Sequence, residues 1–309
     1  VDGNILITGG SGTLGHAIVR TAEREGWDCT FTIYSRSELR QAQMRVLHPH
    51  LRYVLGDVRD HDRLAATIVG HDVVVHAAAM KRIPECEQHP SECCATNVGG
   101  SVNVVRACIA AGVKRCIGIS TDKACRAVTA YGASKLAMEK LFQSQAETPT
   151  IFTCVRYGNV VASNGSVIPI WRGQAARGEP LTVTDPGMTR FWLAPSNAVQ
   201  LVEWAASEGW GPGLVIVPRL AALSIAELAH IIAPGADIVP TGLRSIEKRH
   251  EDLIHVDEFA SETKNHYVIG GSLLATDYPI AGHAYTSDTA PRLTREQFLA
   301  MLEEAESYD

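Results

Sequence analysis

The stretch Thr8-Gly9-Gly10-Ser11-Gly12-Thr13-Leu14-Gly15 directly follows the apolar run Ile5-Leu6-Ile7 near the start of the chain. Glycines three apart at such a junction predict a tight turn between a first strand and a first helix, where backbone can approach a ligand closely. The N–H groups at the opening of that helix suit a pyrophosphate. Gly9, Ser11, Gly12, Thr13, Leu14 and Gly15 are therefore expected to hold a dinucleotide. Beyond them Leu14, Ala17, Ile18 and Ala22 recur at helical spacing, and Gly26 is placed to end the helix.

Outward from this turn, strands are predicted at Ile5–Thr8, Thr30–Tyr34, Arg52–Leu55, Val73–His76, Cys116–Ser120 and Ile151–Val155. Their apolar continuity suits burial on both faces. Helical stretches lie between them, one carrying Val98, Val102, Val105 and Ile109 before Gly112. These stripes read as core. Alternation of strand and helix is the signature of a parallel sheet, so the fold class is α/β, a Rossmann-type doubly wound sheet. After Gly158 the rhythm loosens into Gly, Pro and Thr, resumes at Pro195 to Ala206, and returns with Ser224 to Glu227 as a capping box. The expected division is a dinucleotide-binding domain at 1–157 plus about 190–218, with a smaller, discontinuous substrate domain at 158–189 and 219–309.

Composition supports a globular enzyme-sized chain. Of 309 residues, 46% are hydrophobic and 20% charged, which excludes a disordered or fibrous architecture. The net charge of -6 gives no basic footprint for nucleic acid, although a local positive pocket for a phosphate stays open. No apolar run reaches the length of a membrane span and no signal-peptide layout is seen, so a cytoplasmic protein is expected. The eight cysteines are scattered without a C-x-x-C pair and read as buried or semi-buried thiols. No metal site is expected.

The identity of the cofactor turns on the end of the second strand. An NAD enzyme usually carries an acidic residue there for the ribose hydroxyls. This chain has Tyr34-Ser35-Arg36, with Arg40 four residues further, so a 2'-phosphate and hence NADP is expected. Asp57 in Gly56-Asp57-Val58 is placed to accept from the adenine amino group. Ala77, Ala78 and Ala79 are small enough for the cofactor to lie against the backbone, and Asn97 is counted with this set.

Ser120-Thr121-Asp122-Lys123 closes the fifth strand, at the sheet edge where ligands of such folds bind. Tyr131 and Lys135 are four apart on the next helix and share a face, so the ammonium is expected to lower the phenol pKa for work as a base. Together with the glycine turn, this set resembles the active site of the short-chain dehydrogenase/reductase superfamily.

Within that superfamily the chain resembles the UDP-N-acetylglucosamine 4,6-dehydratases of bacterial surface-sugar and flagellin-sugar pathways, over nearly its whole length. The resemblance is carried by Tyr34-Ser35-Arg36-Ser37-Glu38-Leu39, Ala79-Met80-Lys81-Arg82-Ile83-Pro84, Ser120-Thr121-Asp122-Lys123-Ala124, Arg156-Tyr157-Gly158-Asn159-Val160, Gly165-Ser166-Val167-Ile168-Pro169 and Met188-Thr189-Arg190-Phe191-Trp192. A weaker echo is Ile246-Glu247-Lys248-Arg249-His250-Glu251. It implies an internal redox cycle on a UDP-N-acetylhexosamine: oxidation of the 4-hydroxyl, loss of water across carbons 5 and 6, and return of the hydride to carbon 6. By the same resemblance Tyr131 takes the 4-hydroxyl proton, Lys135 holds the cofactor ribose, Lys123 is the base and Asp122 the acid, and Thr121 bonds the 4-oxygen. Arg190, with Arg244 as second candidate, pairs with the substrate diphosphate. Asn159 and Ser166 donate to the same phosphates, while Lys81, Val167 and Glu247 complete the substrate set. Dimers or hexamers are implied as well.

Departures stand at Arg126-Ala127-Val128-Thr129, where the family reads Asn-Pro-x-Asn, at Asn164 in place of a common arginine, and at Ile246 in place of a glycine. Rival readings are a sugar-nucleotide epimerase, which would lack either the tyrosine or the Asp-Lys pair, and a non-catalytic NADP-sensing protein.

Overall fold

The computed structural model describes residues 2–163, 166–207, 210–243, 246–270 and 284–308. Six strands carry the first half: β1 (Gly3–Thr8), β2 (Cys29–Ser35), β3 (Arg52–Leu55), β4 (Val73–His76), β5 (Arg115–Ile119) and β6 (Ile151–Val155). They match the sequence expectation to within two residues. All pair in parallel in the order β3-β2-β1-β4-β5-β6, with Ile7 opposite Ile33 on one side and Val75 on the other. Leu6 and Ile7 are fully buried. Each such side chain stabilises the fold by about 1.5–3 kcal/mol.

The sheet continues past β6 with Leu214–Pro218, parallel to it, and then with His266–Ile269 and Ala260–Glu262, both antiparallel to their neighbours. Residues 260–269, assigned to the smaller unit on sequence grounds, thus pair into the main sheet. Connections leave β1 and β4 toward opposite sides, which opens a crevice at the carboxyl ends of the strands.

Gly26 ends the helix Thr13–Glu25 in a left-handed conformation, φ 67°, its N–H returning to the Ala22 carbonyl. The second stripe needs correction. A π-helical segment, Ala95–Gly99, precedes the helix Gly100–Ala111 and rotates its face, so Ser101, Val104, Val105 and Cys108 are buried while Val98, Val102 and Ile109 are only half-buried. Among the cysteines, six are buried, Cys29 is half-buried and Cys94 is exposed, against the expectation that all are covered.

A second apolar cluster lies apart from the first. Val161, Ile168, Trp171, Leu181, Val183, Trp192, Leu228 and Phe298 gather there from the helices Val167–Ala176, Ile225–Ile232 and Arg295–Glu306 and the short strands between them. Ser224 and Glu227 form the capping box at the start of Ile225–Ile232, with both reciprocal bonds present. Helix Pro195–Ala206 instead packs Ala198, Val199, Leu201 and Val202 into the core of the main sheet.

Candidate active site

A cavity of about 770 Å³ runs along the carboxyl ends of the strands, from Arg36 and Arg40 at one end to Thr121, Lys123 and Asn159 at the other. Gly9, with φ 69°, forms its floor: a Cβ there would stand 2.8 Å from the Ala78 backbone. Gly12 caps the helix Thr13–Glu25 from extended backbone and offers no side chain to its first turn. That array suits a phosphate. Gly15 serves packing, since a Cβ would meet the Gly10 carbonyl oxygen at 1.9 Å, and it does not line the cavity.

Ser11, Thr13, Leu14, Ser35, Val58, Ala77, Ala78 and Ala79 join the wall, so Leu14 serves both core and cavity. The Ser11 and Ser35 hydroxyls lie 2.8 Å apart, and Gln41 donates to Ser35 Oγ. Arg36 is half exposed, its Nη1 3.6 Å from Asp57 Oδ2. Asp57 lies behind the wall, bound by Arg59 at 2.7 Å. Burial opposes its ionisation, but Arg59 and Arg36 outweigh this and lower its pKa. Asn97 is likewise behind the wall. Its amide accepts from Met80 N at 2.8 Å and donates to the Met80 carbonyl at 2.9 Å, bracing the loop that carries Ala79.

At the other end, β5 delivers Ser120 and Thr121 into a 3₁₀ turn, Asp122–Ala124, which Thr121 caps through its hydroxyl. The Asp122 N–H donates to the Tyr157 carbonyl, which fixes the turn against the segment just after β6. Lys123 Nζ lies 3.0 Å from Asp122 Oδ1 and 3.3 Å from Glu251 Oε1. Asp122 is fully buried, and its Oδ2 has no hydrogen-bond partner. Burial alone would lower the Lys123 pKa; the two carboxylates overcome it and push the pKa well up, so Lys123 is an ammonium here.

Beneath this turn Arg156, 1% exposed, bonds both oxygens of Glu139 and both oxygens of Glu258, and donates to the Leu253 carbonyl. Ser120 Oγ donates to the same Glu139. One guanidinium thereby ties the end of β6, the helix Ala130–Gln143 and the 253–258 segment together. After the turn, Arg126 takes a left-handed φ of 48°, uncommon outside glycine, with Nη1 3.7 Å from Asp252 Oδ1. This is the stretch where the family pattern is absent.

Tyr131 and Lys135 both line the cavity from helix Ala130–Gln143. Their electrostatics differ from the sequence expectation. Burial pushes the Tyr131 phenol up to about 12, and the groups that oppose burial are Lys123 and a hydrogen bond with Thr121, not Lys135. Lys135 Nζ points to Met138 Sδ at 3.1 Å, and burial draws its own pKa down to about 8.

Of the expected substrate residues, Lys81 and Asn159 line the cavity. Ser166 and Val167 open the helix Val167–Ala176 outside it, and Ser166 Oγ is buried without a hydrogen-bond partner. Arg190, on the strand Thr189–Leu193, donates to the carbonyls of Thr189, Arg249 and Lys248 and is not on the cavity wall. Glu247 is half-buried and also off the wall. Arg244 and Asn164 lie outside the described residues. Glu251, at the end of the Ile246–Glu251 echo, and Tyr157, Ser163 and Glu85 on the wall are not among the residues expected from sequence. Among the described residues no group of three or more His, Cys, Asp or Glu could hold a metal ion, and no helix is long and apolar enough to cross a membrane.

Fold and site together define an enzyme of the extended short-chain dehydrogenase/reductase type. The chain belongs to the family described as polysaccharide biosynthesis protein, which matches residues 5–270. It is 41% identical over 283 residues, 89% of this chain and 84% of the other, to a protein of Campylobacter jejuni subsp. jejuni serotype O:2 named UDP-N-acetylglucosamine 4,6-dehydratase (inverting). It is 36% identical over 327 residues, 98% of this chain and 96% of the other, to a Rickettsia conorii protein named UDP-glucose 4-epimerase. Among solved structures, Pen from Bacillus thuringiensis superposes with a TM-score of 0.88 at 31% identity, covering 99% of this chain and 98% of that one.

Proposed function

We propose that this chain dehydrates UDP-N-acetylglucosamine to a UDP-4-keto-6-deoxy-acetamidohexose, with NADP as resident cofactor and inversion at carbon 5. The observation that carries this reading is the meeting of Thr121, Lys123, Tyr131 and Lys135 around one cavity, with Asp122 beside Lys123 at 3.0 Å. The residues fit a dinucleotide: Gly9 leaves room that a Cβ would fill, and the end of β2 carries Arg36 and no carboxylate. Gly9 to Leu14, with Ala77 to Ala79, would hold the pyrophosphate and nicotinamide half; Arg36 and Arg40 would hold a 2'-phosphate. When bound, NADP supplies the hydride acceptor and donor.

The chain's own groups then move protons. Tyr131, as phenolate, takes the 4-hydroxyl proton. Its pKa near 12 is high for this, so a positive charge brought near it on assembly of the complete site is required. The 4-ketone acidifies the carbon 5 proton. Asp122 and Lys123, an ion pair at 3.0 Å in the open cavity, become an acid and a base by one transfer when bound substrate excludes water and disfavours separated charges: Nζ–H breaks, Oδ–H forms, and both groups are neutral. Lys123 then takes the carbon 5 proton while Asp122 protonates the leaving 6-hydroxyl, which departs as water; with the hydride returned to carbon 6, carbon 5 is reprotonated on its opposite face by a solvent-exchangeable proton. The diphosphate is placed toward Asn159 and the opening of helix Val167–Ala176, where the buried Ser166 hydroxyl lacks a partner. The second apolar cluster is the nucleotide-sugar-binding unit, at 158–189 and 219–309 less the strands that join the main sheet.

Incubation of the purified protein with UDP-N-acetylglucosamine in deuterated water tests this. Loss of one water with deuterium at carbon 5 is expected, and the carbon 5 coupling constants read inversion. A 4-epimer that keeps its 6-hydroxyl would overturn the reading in favour of the epimerase, which the likeness to the Rickettsia protein makes the main competitor.

A further inference from the structure

Glu251 has no part in the reaction just described, yet its backbone is held on both sides and its carboxylate lies among cations. It is 3% exposed. Its N–H donates to Ser287 Oγ at 2.9 Å, and its carbonyl accepts from Ser287 N at 2.8 Å. Ser287, fully buried, is bonded in turn to Thr189 Oγ1. The backbone is therefore clamped from the far end of the chain, and the carboxylate projects toward Lys123.

Three cations face it. Lys123 Nζ comes from the 3₁₀ turn at 3.3 Å, Lys248 Nζ from the same segment at 3.7 Å, and Arg190 Nε from the strand Thr189–Leu193 at 3.9 Å. The latter two have other partners: Lys248 donates to the Cys125 carbonyl and pairs with Asp252, and the Arg190 nitrogens bond three carbonyls. Glu251 Oε2 has no hydrogen-bond partner at all. Asp122 also faces Lys123, His250 adjoins through Thr189, and Arg126 pairs with Asp252. Within this set, Lys123 is the nearest cation to Glu251.

We propose that Glu251 is a positioning residue for Lys123, holding Nζ between two carboxylates and stabilising the ammonium that forms when Lys123 takes the carbon 5 proton. This inference rests on the dehydratase reading for its chemistry. The geometry carries the holding part by itself. Asp122 is the sequence neighbour and reaches Nζ from its own turn at 3.0 Å; Glu251 reaches it from a separate segment at 3.3 Å. When Asp122 has given its proton to the substrate, two carboxylates flank one ammonium, a favourable arrangement in a site with little water.

The test is Glu251→Gln in the full chain, which keeps shape and removes charge. Two readouts apply: the protonation midpoint of Lys123 followed by ¹⁵N NMR of its Nζ, and steady-state kinetics with UDP-N-acetylglucosamine. Expected are a midpoint lowered by about one pH unit or more and a kcat lowered about tenfold or more with KM within about threefold. Glu251→Asp should recover part of both, and it serves as the primary variant if the glutamine protein does not fold. An unchanged Lys123 midpoint in a folded variant, or a loss confined to KM, would overturn the proposal. Should the wild type leave the sugar unaltered, the dehydratase reading fails while the midpoint still decides whether Glu251 holds Lys123.

Discussion

Gly132 and Lys123 are packed backbone to backbone: a Cβ at Gly132 would stand 2.2 Å from the Lys123 carbonyl oxygen. The helix that carries Tyr131 is thus docked directly on the turn that carries the Asp-Lys pair. Thr129 caps the same helix by accepting from Gly132 N, and Glu87 accepts from Ala130 N.

Gly132→Ala is therefore expected to separate these two halves of the site. Alanine is the better helix former by about 1 kcal/mol, but the clash with backbone should cost about 1–3 kcal/mol. Urea unfolding should show a net loss, with turnover falling more than stability. A stable variant with full turnover would mean that the two segments are free to adjust.

Lys135 yields a prediction with opposite signs for stability and activity. Burial takes its pKa from the ordinary 10.5 to about 8. Between those values the unfolded chain holds a proton that the folded chain has lost, so stability rises with pH across that window and is lowest below it. Lys135→Met removes this cost. The cofactor-free variant should melt at a higher temperature than wild type at pH 7, by an amount corresponding to a few kcal/mol, and the advantage should vanish above about pH 10.5. Turnover should meanwhile fall by about 10²-fold or more. Equal melting temperatures at pH 7 would count against a destabilising buried ammonium.

Arg36 and Arg40 test the cofactor assignment. The double variant Arg36→Ala/Arg40→Ala should bind NADP about tenfold to a hundredfold more weakly, the worth of charge-assisted bonds to a phosphate, and bind NAD as before. Calorimetric titration with each dinucleotide reads this. A parallel loss for both dinucleotides would assign the arginines to general support of the loop.

Much of this site is legible in sequence because its parts are local. The glycine turn, the strands β1 to β6 and the Tyr131/Lys135 spacing each announce themselves within a few residues, through backbone freedom, apolar runs or helical period. What escaped depends on the fold as a whole. Tyr131 and Lys135 do share a face, but the medium around them decides their pKa values, and burial dominates both. Asn97 and Asp57 do not line the cavity; they are spent on bonds to Met80 and Arg59, which only the fold brings to them. Glu251 reaches Lys123 only through a loop and a two-stranded pairing of Asp252–Ile254 with Tyr285–Thr286, which no periodicity signals. The helix Val167–Ala176 lay hidden in a Gly- and Pro-rich stretch, where Pro169 falls in the first helical turn and is tolerated there.

The anchoring of Glu251 by Ser287 also orders events as the chain is made. Synthesis runs from the N-terminus, and domains tend to fold as they emerge. The glycine turn and the strands β1 to β6 have left the ribosome once Val155 is out, whereas the clamp on Glu251 must wait for Ser287. A nascent chain can therefore form the strand ends that carry Gly9 and Thr121 well before the carboxylate that faces Lys123 is fixed in place.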